Sequence, residues 1–150
     1  MCRKLIEKVQ FLEKIIGMLD YFSAQISYSR QPVTDIIKSL AESERFGSLL
    51  FLQKCLEGLN SGQGFREAWC SAVTYYKKSM PIEDEDISRL LALGEYIGTT
   101  DSEEQNKTLV LYQKLFTQSY EKAKSESSSH SRMYTTLGVL SGLGLAVLIL

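Results

Sequence analysis

The sequence predicts an all-α protein, and three observations carry that prediction. Only two prolines, Pro32 and Pro81, interrupt its 150 residues. The long stretches between them are rich in Leu, Ile, Glu and Lys, which favour helices over short strands. Apolar residues recur at spacings of three and four, the period of one helix face, rather than two. The length suits one domain, and a 44% hydrophobic content is enough for a core.

Six helices follow in order. From Leu5 to Ile26 the apolar positions Leu5, Val9, Leu12, Ile16, Leu19 and Ile26 form one amphipathic stripe. Ser29, Arg30 and Gln31 break it, and Pro32, with its fixed φ and missing N–H, suits the first position of a second helix striped by Val33, Ile36, Ile37 and Leu40. Gly47 separates this from a third helix with Leu49, Leu52, Cys55, Leu56 and Leu59 on one face, stopped by Asn60-Ser61-Gly62. The fourth carries Phe65, Ala68, Trp69, Ala72, Val73 and Tyr76 and stops before Ser79-Met80-Pro81. A large aromatic at helical spacing makes Trp69 a core anchor rather than a ligand site.

The run Glu83-Asp84-Glu85-Asp86 opens the fifth helix, ahead of Ile87, Leu90 and Leu91. Four carboxylates there complement the positive end of the helix macrodipole. Adjacent helical residues point in four directions, so the run cannot close around one cation without unwinding. The next stretch, LGEYIGTTDSEEQ from Leu93 to Gln105, could be a phosphate loop, a carboxylate site or a helix corner. The corner reading fits best. Gly94 shares a face with Leu90, Leu91 and Ile97, where a missing side chain lets another helix approach. Gly98 suits the left-handed position that ends a helix. Thr99 and Thr100 make the turn. Asp101 with Glu104, overlapped by Ser102 with Gln105, matches a capping box in two registers. No strand precedes the glycines and no Lys-Ser/Thr follows them, as a phosphate loop requires.

The sixth helix carries Leu109, Tyr112, Phe116, Ser119 and Ala123 on one face and runs without a breaker through the serine- and lysine-rich stretch Ser119 to Arg132. Met133 to Leu150, MYTTLGVLSGLGLAVLIL, then contains no charge. Eighteen helical residues span about 27 Å, close to the ~30 Å hydrocarbon core of a bilayer. The expected organisation is therefore a helical bundle over 1–132 and a transmembrane helix over 133–150. Lys122, Lys124 and Arg132 flank the span on the bundle side, which places the bundle in the cytoplasm by the positive-inside rule. Gly138 and Gly142 form a GxxxG pair, with Ser141 and Gly144 beside it, a strip that permits close packing against another transmembrane helix or a second copy of the chain.

Several function classes are disfavoured. A formal charge of −1, from 17 basic and 18 acidic residues, gives no footprint for nucleic acid. Cys2, Cys55 and Cys70 are odd in number and lack metal-like spacing, which fits a reducing compartment and inert thiols on apolar helix faces. The one histidine, His130, stands among serines at the edge of the apolar segment, so a Ser-His or Cys-His pair is not in view. The sequence thus predicts neither an enzyme nor a cofactor, but a membrane-anchored helical interaction module.

Four stretches in order carry a family resemblance: ISYSRQPV (Ile26 to Val33), GQGFREAW (Gly62 to Trp69), LGEYIGTTDSEEQ and the charge-free C-terminal segment. Together they cover nearly the whole chain and resemble the stage III sporulation protein AB family of endospore-forming bacteria. That family's soluble domain is similar to the cytoplasmic F domain of type II secretion and type IV pilus platform proteins, a six-helix bundle. The resemblance implies a place in the mother-cell membrane, in the secretion-like channel between mother cell and forespore. It implies as partners a cytoplasmic secretion ATPase of the stage III sporulation protein AA type and the other subunits of that channel. It also implies an N-terminal transmembrane helix. Met1-Cys2-Arg3-Lys4 instead opens directly on the amphipathic first helix, so either the true start lies upstream or this member has a single anchor. The alternative function is a generic tail-anchored adaptor that tethers another cytosolic partner.

Overall fold

The computed structural model describes residues 2–29, 32–97 and 102–142, with side chains over 3–27, 32–97 and 103–126. Six α-helices account for most of them: α1 Cys2–Ala24, α2 Val33–Glu42, α3 Leu50–Asn60, α4 Phe65–Tyr76, α5 Asp84–Tyr96 and α6 Ser102–Gly142. A π turn, Gln25–Ser29, prolongs α1, and a 3₁₀ turn, Lys77–Ser79, prolongs α4. No strand occurs among the described residues.

Neighbouring helices run antiparallel, as their cross-contacts show. On α1 and α6, Gln113 donates to Asp20 and Ser23 to Asn106, so one numbering falls as the other rises. Between α4 and α5 the pairs are Arg66 with Glu95 and Trp69 with Leu90. Between α5 and α6 they are Asp86 with Ser119 and Tyr96 with Tyr112. The helix α3 packs against both α2 and α4. The start of α1, the α4–α5 connection and Glu126 of α6 therefore share one end of the bundle, lining a common groove. The α3–α4 turn, the end of α5 and the start of α6 share the other.

Differences from the sequence reading are local. The buried face of α1 is centred on Leu12, Ile15, Met18, Leu19 and Phe22, all at most 1% exposed, while Leu5, Val9 and Ile16 are only partly buried. The helix packs along α6 while sending Phe22 toward Trp69, so Leu12, Leu19 and Ile26 are buried as the stripe predicts and the rest of the buried face turns toward Ile15, Met18 and Phe22. Pro32 is not the first helical residue of α2 but its N-cap, at φ −58° and ψ 147°. Its carbonyl accepts from the amides of Asp35 and Ile36, a role open to proline because only its N–H is missing.

The stop of α3 uses Gly62 at φ +100°. From there the Gly62 amide reaches the Leu59 carbonyl (3.2 Å) and the Gln63 amide reaches that of Gly58 (3.0 Å), closing two carbonyls that the helix end leaves open. At the other extreme, α6 continues from Glu126, beside Lys4 and Lys8, to Gly142. That extension is about 24 Å long at 1.5 Å per residue. Among the described residues no helix is long and apolar enough to cross a membrane. The expected span 133–150 runs past Gly142, so its second half, with Gly144, lies outside the described residues, whereas Gly138 and Gly142 fall within α6.

Gly62 gives a clean test of the α3 stop. A Cβ there meets nothing within 4 Å, so Gly62→Ala should lose about 1 kcal/mol from backbone strain alone. Gly64, equally open but at φ −69°, should accept Ser without loss as the N-cap of α4. Urea unfolding followed by the fluorescence of Trp69, the single tryptophan, reads both.

Candidate functional site

Two junctions concentrate the chain's polar and aromatic chemistry, and both involve α5. The first is between α4 and α5. Trp69 is fully buried, and its Nε1 donates to the Leu90 carbonyl at 2.6 Å. One turn further along α5, Gly94 leaves the space the indole needs: a Cβ there would lie 2.6 Å from Trp69 Cδ1 and 3.3 Å from Cys70 Sγ. The next residue of α4 repeats the pattern, with Cys70 Sγ donating to the Leu91 carbonyl at 3.7 Å. Phe22 of α1 and Phe51 of α3 meet the indole edge-on at 6.4 and 5.3 Å, and Phe65 lies tilted at 5.5 Å. One side chain therefore touches α1, α3, α4 and α5.

The second junction holds the acidic opening of α5. Glu83 is the N-cap and makes no side-chain capping bond, so the run acts on the helix end through charge. Its members then diverge. Asp84 stays exposed, whereas Asp86 is 1% exposed and turned toward α6. Its Oδ1 accepts from Arg89 Nη1 at 2.9 Å and from Ser119 Oγ at 2.8 Å. Arg89 also reaches Ser119 Oγ at 3.1 Å and, through Nη2, Glu85 at 2.8 Å. Lys8 of α1 closes the other side with a 2.6 Å ion pair to Glu83. The hydrogen bond from Lys8, helped by its charge, holds the Glu83 carboxyl below the usual carboxylate range. A cleft of about 580 Å³ lies among these groups, with Gln118, Lys122 and Glu126 on its far wall.

This arrangement binds helices together. Every buried side-chain nitrogen and oxygen among the described residues has a partner, and no group of three His, Cys, Asp or Glu there could hold a metal ion. Burial, with Cys70 nearby, pushes the Cys55 thiol up to about 12. Burial also raises Cys70, against the opposing pull of Arg66. Both thiols are thus protonated at neutral pH and are weak nucleophiles.

The sequence-predicted residues separate accordingly. Trp69 and Gly94 are brought into contact. Gln105 lies on the inner face of α6, 9% exposed. Gly98 and Asp101 lie outside the described residues, so the expected corner cap does too. The Asp86–Arg89–Ser119 clamp went unread in the sequence. Its signal was present in the i, i+3 spacing of Asp86 and Arg89 and in the place of Ser119 on the apolar stripe of the sixth helix.

A model of one protein family, stage III sporulation protein AB, matches residues 1–150, the whole chain. The chain belongs to the stage III sporulation protein AB family. Membership makes it a sporulation-related protein, and the Trp69–Gly94 junction sits within the GQGFREAW and LGEYIGTTDSEEQ stretches that carried the resemblance. No curated protein and no solved structure matches this member of the family.

The clamp should be visible in stability. Asp86→Ala strands Arg89 and Ser119 and should lose about 1.5–3 kcal/mol, less than a fully buried pair because Arg89 keeps some solvent. Asp86→Asn, which retains the shape and one acceptor, should lose less. Equal stability of wild type and Asp86→Ala in urea would show that the clamp adds nothing.

Proposed function

We propose that this member of the stage III sporulation protein AB family is a membrane-anchored, non-enzymatic subunit of the sporulation secretion channel. It sits in the mother-cell membrane facing the forespore. The bundle over 1–132, similar to the F domain of secretion platforms, lies in the cytoplasm and engages an ATPase of the stage III sporulation protein AA type. The channel's other membrane subunits contact the anchor. The observation that carries this reading is the family match over the entire chain. Two features support it. The polar and aromatic contacts of the described residues join the helices to one another. And α6 leaves the bundle as a rod whose sequence turns charge-free from Met133 onward, the shape of a tether that fixes a helical module to a bilayer.

In a spore-forming host, a chain ending at Arg132 should be extracted from membranes by alkaline wash. It should lower spore yield by orders of magnitude while the bundle remains folded. Crosslinks from the full-length chain to the ATPase should appear during engulfment. Normal spore yield from the truncated chain would contradict the anchored-subunit reading.

A further inference from the structure

The helices fix which end of the bundle would face a membrane. The rod of α6 emerges beside the start of α1 and the α4–α5 connection. From Glu126 to Met133, where the charge-free sequence begins, is seven residues, or about 10 Å of helix. That is about one electrostatic screening length at physiological salt. Charges on this end would feel a bilayer surface; those on the α3–α4 turn, about 36 Å away along α6, would not.

Of the acids at this end, three are offset by a basic partner and a fourth shares one. Glu7 pairs with Arg3 at 3.6 Å and Glu83 with Lys8 at 2.6 Å, while Glu85 and Asp86 share Arg89 at 2.8 and 2.9 Å. Asp84, Glu121 and Glu126 have no ion pair among the described residues. Against these three, and the one negative charge left where Glu85 and Asp86 share Arg89, stand five lysines also without an ion pair: Lys4, Lys77, Lys78, Lys122 and Lys124. Lys122 lies near Glu83, and Lys124 lies over the Tyr120 ring. Lys4, Lys77 and Lys78 are left exposed and uncommitted. Lys4 and Lys78 line one groove together with the ion-paired Glu7, Lys8 and Glu83 and with Glu126, and its walls include Leu5, Met80, Pro81 and Ile82. Long cationic side chains around partly apolar walls suit a headgroup region, where the stem rests on apolar surface and the ammonium meets phosphate.

We propose that this end of the bundle is a docking surface for an anionic lipid bilayer, with Lys4, Lys77 and Lys78 as its headgroup contacts. The surface orients the bundle against the membrane and leaves the α3–α4 turn and the end of α5 pointing into the cytoplasm. The proposal rests on the anchored reading of α6, and its test keeps the two apart.

The full-length chain is reconstituted in vesicles of phosphatidylcholine alone and of phosphatidylcholine with 30 mol% phosphatidylglycerol (about one lipid in three, as a moderate anionic density). Retention after alkaline wash reads the anchor, and backbone amide exchange reads the docking. In the anionic vesicles, residues 77–82 and the first turns of α1 should exchange at least about threefold more slowly than in neutral ones, with residues 61–64 unchanged. About 1 M salt should erase the difference. So should Lys4→Gln with Lys77→Gln and Lys78→Gln, exposed changes that leave the core intact. Retention without a lipid-dependent difference would overturn the docking surface and leave the anchor standing. Loss of the chain on alkaline wash would overturn both.

Discussion

The bundle depends on one fit: the Trp69 indole lying over Gly94, with its N–H on the Leu90 carbonyl. An indole can be fully buried only if its N–H finds an acceptor, and helix carbonyls are already engaged within their own ladder. A carbonyl has two lone pairs, so Leu90 can serve both, but only if α4 comes close enough for a 2.6 Å contact. The absent side chain at Gly94 is what permits that approach. Once α4 and α5 are set, Phe22 and Phe51 bring α1 and α3 onto the same ring, and α6 follows through its long contact with α1.

The second constraint is electrostatic and lies one pole away. The start of α5 carries four successive carboxylates, a charge density that would repel itself on an isolated helix. The fold resolves it by giving each neighbour a different fate: Glu83 to α1 through Lys8, Asp86 inward to α6, and Glu85 sideways to Arg89. The same residues that ease the repulsion thereby tie α5 to α6, which runs antiparallel to it, and to α1, which runs parallel. The rod of α6 is thus held by α1 on one side and by α5 on the other before it leaves the bundle.

Much of this was legible in the sequence, and the reasons are physical. Helix existence and order followed from apolar spacing and from the punctuation at Pro32, Gly47, Gly62 and Pro81. Gly94 could be read as a close approach because it interrupts an apolar face, but that its neighbour is Trp69 needed the antiparallel pairing of α4 with α5. The buried face of α1 was read in part: Leu12, Leu19 and Ile26 are buried as expected, while Ile15, Met18 and Phe22 rather than Leu5, Val9 and Ile16 complete it, since periodicity gives the direction of a stripe but not which partners widen it. Asp86 was grouped with its acidic neighbours because charge patterning is local, whereas its partner Ser119 is 33 residues away. The family resemblance placed the chain among sporulation proteins, which the geometry of the helices alone did not reach.

If the Trp69–Gly94 fit organises the bundle, its two halves must be energetically coupled. A double-mutant cycle of Gly94→Ala and Trp69→Leu, followed by the urea dependence of the helical circular dichroism signal, measures that directly. A Cβ at position 94 should cost about 1–3 kcal/mol against the indole. It should cost much less once leucine has replaced the indole, giving a coupling energy of at least about 1 kcal/mol. Losses that add to within about 0.5 kcal/mol would contradict the account and assign the stability of the bundle to some other contact.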